Sequence, residues 1–159
     1  MHRRPLTAAL LALAAGAALT ACGGSTTVDA SAAALAASAD CTRASAHWPT
    51  TVAGQKSRPT SAKSATVRAW GDPPIIARCG VSSPGPTTDP CTTIDGIDWV
   101  AHQLKDGYRF VTFGRSPAIE VLIPTKYGGL DLVEFTAAAK AIPQTSHVCS
   151  AAPPSTSSG

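Results

Sequence analysis

The sequence predicts an α+β domain: a small antiparallel sheet of three to five strands with a central hairpin, covered by a C-terminal helix and held by two disulfides. Three observations predict it. Two apolar runs, Ile97 to Leu104 and Tyr108 to Phe113, flank Lys105-Asp106-Gly107, and Asp-Gly is a favoured dipeptide of tight hairpins. Leu132, Phe135, Ala139 and Ile142 recur at spacings of three, four and three, which is one face of a helix. Four cysteines, at 41, 79, 91 and 149, are spread across the same region.

The elements follow in chain order. Cys41 to Ala65 is irregular, interrupted by Trp48-Pro49, Gly54 and Arg58-Pro59. The first apolar run is Ala65 to Trp70, broken by Gly71-Asp72-Pro73-Pro74. Ile75 to Val81 reads as a strand, and Ser82 to Pro90 as a loop rich in Pro, Gly and Ser. After the hairpin, Ser116-Pro117 makes a turn and Ala118 to Ile123 a further strand, ending at Pro124. Asp131, with Glu134 three residues on, fits a capping box in which Asp replaces Ser or Thr. Pro143 then stops the helix. An antiparallel sheet with a helix on one face is a stable two-layer arrangement. There is no internal repeat.

Outside this region the composition changes. Met1-His2-Arg3-Arg4 is a short positive segment, and Leu6 to Ala18 is an uncharged run of Leu and Ala. That run is short for a membrane span and has the pattern of a secretory signal. It ends in Leu19-Thr20-Ala21-Cys22-Gly23, which resembles the bacterial lipobox, where a small residue precedes an obligatory cysteine. The resemblance implies that residues 1–21 are removed and that the Cys22 thiol carries a diacylglyceryl group. The expected location is therefore the extracytoplasmic face of the cell membrane, with the membrane as partner through the lipid on Cys22. Residues 22–40 read as a flexible, lipid-anchored tether, 41–149 as the disulfide-bonded domain, and 150–159 as a disordered tail.

In an oxidising compartment the four cysteines from Cys41 onward are expected in disulfides. Four cysteines allow three pairings. Cys79–Cys91 with Cys41–Cys149 is the favoured one. The first would close a short loop whose Pro84, Gly85, Pro86 and Pro90 can turn the chain back. The second would tie the two ends of the domain. Loop closure gives roughly 3 kcal/mol for the short loop and nearer 5 for the long one.

Several motifs in order resemble one family. They are Trp70-Gly71-Asp72-Pro73-Pro74-Ile75-Ile76, Arg78-Cys79-Gly80-Val81, Pro84, Cys91, Asp95-Gly96-Ile97-Asp98-Trp99, and Phe113-Gly114-Arg115-Ser116-Pro117-Ala118-Ile119-Glu120-Val121. Together they are similar to the signature of a family of small actinobacterial secreted or lipid-anchored proteins catalogued as domain of unknown function 3515. The resemblance covers about residues 41–149. It implies a fold and a compartment, and it carries no activity to transfer.

Charge and motifs narrow the function classes. Loss of Arg3 and Arg4 with the signal leaves 11 basic and 10 acidic residues. That balance argues against a nucleic-acid partner, which calls for a basic stripe. Cys79 and Cys91 lack paired zinc spacing, and His47, His102 and His147 are scattered. Asp89, Asp95 and Asp98 match no calcium loop, and turn chemistry accounts for Asp95-Gly96. Gly114-Arg115-Ser116-Pro117 lacks the second glycine of a nucleophile elbow. There is no HExxH, SxxK or phosphate-binding loop. No metal or cofactor is implied, and the chain is not expected to be an enzyme.

The polar residues inside apolar runs remain. Arg78 lies between Ala77 and Cys79, Arg115 follows Gly114, and Glu120 lies between Ile119 and Val121. By alternation Glu120 points away from Ile119, Val121 and Ile123. Either all three charges face solvent, or an Arg–Glu pair is partly buried and fixes strand register or lines a pocket. Trp48, Trp70 and Trp99 are expected in the core. The leading functional expectation is a non-enzymatic envelope module contacting another envelope protein or a cell-wall component. The alternatives are a small-molecule- or ion-binding lipoprotein, or a cell-wall precursor enzyme with a dispersed site.

Overall fold

The computed structural model describes residues 27–128 and 131–150. Cys22, the expected lipidation site, the expected signal at 1–21 and residues 151–159 of the expected tail lie outside the described residues. Among the described residues the fold is dominated by one antiparallel sheet of eight strands, which corrects the predicted α+β domain of three to five. The strands are β1 (Thr51–Val52), β2 (Gln55–Arg58), β3 (Val67–Trp70), β4 (Ile75–Val81), β5 (Cys91–Ile94), β6 (Ile97–Leu104), β7 (Gly107–Thr112) and β8 (Ala118–Pro124). Their order is β1-β2-β3-β4-β8-β7-β6-β5. Two four-stranded meanders are thus joined where β4 pairs with β8.

The strands the sequence did not reveal are the outer ones. β2 reads Gln55-Lys56-Ser57-Arg58, with no apolar run. β5 reads Cys91-Thr92-Thr93-Ile94, with its two threonines exposed. Both are instead specified by tight turns. Ala53 and Gly54, at φ 50° and 70°, close β1 on β2, and Asp95 and Gly96, at φ 49° and 76°, close β5 on β6. Positive φ at both central residues matches the right-handed twist of the flanking strands. Gly107 has another role. It is the first residue of β7, paired with Leu104, and a Cβ there would meet the Ile123 carbonyl oxygen at 2.3 Å. The glycine therefore permits β7 to approach β8.

One face of the sheet carries the core. Trp70, Ile75, Ala77, Cys79, Trp99, Phe110, Ile119, Val121 and Ile123 form it with residues of the helices. Those helices are α1 (Ala39–Ser45) and α2 (Thr136–Lys140). α1 begins at Ser38, whose hydroxyl accepts from the Cys41 amide, as an N-cap should. The predicted C-terminal helix is shorter and mixed: Asp131–Phe135 is 3-10 and only Thr136–Lys140 is α. Its apolar face is nevertheless the one expected, since Leu132, Phe135, Ala139 and Ile142 are all fully buried. The Glu134 carboxylate does not close a capping box. It accepts from the Ala53 amide, which pins the β1–β2 turn to the helical layer. All three tryptophans are buried, and Phe135 makes edge contacts with Trp48 and Trp70.

The disulfides join Cys41 to Cys79 and Cys91 to Cys149. This corrects the favoured pairing of Cys79 with Cys91 and Cys41 with Cys149. The physical reason is the sheet. Cys79 on β4 points into the core, where α1 presents Cys41, whereas Cys91 lies on the far edge strand, beyond β8, β7 and β6. A proline-rich loop spans these positions instead of a short covalent loop.

Residues 27–40, expected as part of a tether, lie against the domain. Val28 is 5% exposed and bridges Thr60, and the Leu35 amide donates to the Gly80 carbonyl. Packing therefore begins before Cys41.

Candidate functional site

The opposite face of the sheet holds the charges. Cross-strand partners share a face, so the register places Arg78, Glu120 and Val111 in one row across β4, β8 and β7. The next row is Ile76, Leu122, Arg109 and His102. None of these residues belongs to the core cluster on the helical side. Glu120 sits on a central strand and is only 1% exposed. Its Oε1 accepts from Arg78 Nε at 2.5 Å, and its Oε2 accepts from Arg109 Nε. Arg78 comes from the strand on one side, directly opposite Glu120. Arg109 comes from the other side, one diagonal step away.

A buried carboxylate without partners would be costly. Here each oxygen has one charge-assisted bond, the stronger kind. The arginine side chains are 31% and 40% exposed. Each is engaged through Nε alone, and their terminal amino groups meet no hydrogen-bond acceptor among the described residues. The cluster therefore has a buried anionic centre and two cationic arms reaching outward, with a net charge of +1.

Two concavities adjoin this face. One, of about 300 Å³, lies at the β6–β7 turn and is lined by Pro74, Ile76, Leu104, Tyr108, Leu122 and Pro124. The other, of about 700 Å³, lies under residues 146–150 and includes Val100, Phe113, His147 and the Cys91–Cys149 disulfide. Asp98 anchors its rim: it accepts from Thr93 Oγ1 at 2.5 Å and from the Cys149 amide at 3.0 Å.

Of the three polar residues singled out by the sequence, the structure brings Arg78 and Glu120 together and leaves Arg115 elsewhere. Arg115 is 6% exposed and donates through Nη1 to the Ile142 carbonyl, while its Nε has no partner among the described residues. Burial lowers its pKa from the ordinary arginine value, and nearby Asp98 pulls it partly back. Arg109 was missed. Alternation along β7 shows only that Arg109 shares a side with Val111; it is the β7–β8 pairing that sets that side beside Glu120. Among the described residues no group of three or more His, Cys, Asp or Glu side chains could hold a metal ion.

No curated protein and no solved structure matches the chain. A family model does, over residues 5–147, under the description of a protein of unknown function. That match spans most of the sequence and includes the Cys41–Cys79 disulfide and the Arg78–Glu120–Arg109 cluster, so the chain belongs to the family of domain of unknown function 3515.

Proposed function

We propose that this protein is an extracytoplasmic lipoprotein. Cleavage after Ala21 would leave a lipid on Cys22, and the domain would stand on the outer face of the cell membrane as a binding or interaction module. The observation that carries this reading is the cysteine arithmetic. The chain has five cysteines, and four are joined in two disulfides. The one left over is Cys22, at the end of a signal-like run and directly after Leu19-Thr20-Ala21. Two disulfides also favour an oxidising compartment.

Binding is favoured over chemistry by the state of the buried carboxylate. Glu120 is 1% exposed and each of its oxygens accepts from a guanidinium, so the carboxylate is placed to hold the arginines rather than to reach a substrate. The partner on this reading is an envelope protein or a cell-wall component reached at the membrane surface.

Replacing Cys22 by Ala tests the anchor. The wild-type protein should fractionate with membranes and carry the added mass of a diacylglyceryl group. The Cys22→Ala protein should lack that mass and leave the membrane fraction once its signal is removed. Membrane retention of both forms, with no acyl mass on either, would overturn the proposal.

A further inference from the structure

We propose that the Arg78–Glu120–Arg109 cluster and the apolar concavity beside it form one binding site for a monoanionic amphiphile, a carboxylate or phosphodiester carried on an apolar chain. The inference rests on the binding-module reading, but not on the lipid anchor.

Charge comes first. Two guanidiniums surround one carboxylate, so the cluster has one uncompensated positive charge. A second monoanion, approaching from solvent, would balance it. The terminal amino groups of both arginines meet no acceptor among the described residues and can receive that anion, and each arginine is already held by its Nε bond to Glu120. Guanidinium groups suit carboxylate and phosphate oxygens in two-point contacts. Fixing the arginines beforehand lowers the ordering cost of binding. Glu120, 1% exposed, acts as the positioning residue.

Apolar surface lies immediately alongside. Ile76 and Leu122 are cross-strand partners, as are Arg78 and Glu120. The two pairs are two residues apart on the same face, a step of about 7 Å along the strands. Leu122 is also the partner of Arg109. Pro74, Leu104 and Pro124 continue the surface into a concavity of about 300 Å³. That is the small end of the range for ligand sites, suited to a short stretch of chain behind an anionic head. A wholly polar anion would leave Ile76 and Leu122 unused, and a neutral chain would leave the arginines unbalanced.

The test uses the full chain with Cys22→Ala, so its result is independent of lipidation. Binding of hexanoate, dihexanoylphosphatidylglycerol, acetate and hexanol is measured by calorimetry. At least one of the two anionic amphiphiles should bind about tenfold or more tighter than both acetate and hexanol, a margin readily resolved. Which anion binds identifies the source, a free carboxylate or a lipid headgroup. Arg109→Lys keeps the charge but loses the fork, and Leu122→Asn removes apolar surface at a half-buried position. Each should weaken binding about fivefold or more while the melting temperature shows the domain still folded. Failure of both amphiphiles to bind would overturn the site, as would acetate or hexanol matching them. Undiminished binding in folded Leu122→Asn would also overturn it. None of these results would touch the membrane-anchor proposal.

Discussion

Glu120 and Arg115 are both charged and both buried, at 1% and 6% exposure, yet they are compensated differently. Glu120 lies inside a regular part of the sheet, and its counterions arrive from the strands on either side in register. Arg115 lies in the irregular segment between β7 and β8. It has one carbonyl acceptor and an Nε unpartnered among the described residues, and its pKa is lowered mainly by burial. The first charge is held by strand pairing itself. The second is held by a backbone oxygen two residues past α2, and nearby Asp98 only partly offsets the effect of its burial. Position in the sheet, more than depth of burial, decides how well a charge is compensated here.

The contrast can be broken most forcefully at the arginines. Arg78→Met together with Arg109→Met leaves the Glu120 carboxylate buried without a counterion. Urea unfolding should show a loss of about 3–5 kcal/mol, a large share of the total stability of a domain this size. A loss below about 1 kcal/mol would mean that Glu120 reaches water and that the cluster is a surface feature. Glu120→Gln should cost less, about 1–3 kcal/mol. The two arginines it strands are partly exposed and can turn outward, whereas the carboxylate in the first variant cannot. Arg115→Met should have the smallest effect, within about 1 kcal/mol of wild type and in either direction. An apolar side chain of similar length removes the desolvation cost along with the carbonyl contact. If Arg115→Met proves as damaging as the double arginine variant, the comparison between the two sites is wrong.

Much of the sheet was legible. Ile75–Val81, Ile97–Leu104 and Ala118–Pro124 emerge almost residue for residue from their apolar runs and punctuation. The apolar helical face from Leu132 to Ile142 was legible too, although the first half is 3-10 rather than α. What escaped was encoded differently. Gln55–Arg58 and Cys91–Ile94 lie near the sheet's edges, where few side chains are buried, so no hydrophobic alternation marks them. The disulfide pairing depended on sheet order. Sequence spacing cannot show that β4 and β5, neighbours in the chain, end up with three strands between them. Arg109 was lost for a related reason. Its partner Glu120 is 11 residues away, and their meeting depends on β7–β8 register rather than on any local motif.

The seating of Val28 against Thr60 limits how far the domain can stray. Six residue steps separate Cys22 from Val28. Even fully extended, that stretch spans only about 20 Å, less than the thickness of a bilayer's hydrocarbon core. On the lipid-anchored proposal the domain therefore rides on a short leash. It would have no reach into the depth of a cell wall, and whatever it binds would have to come down to the membrane to be met.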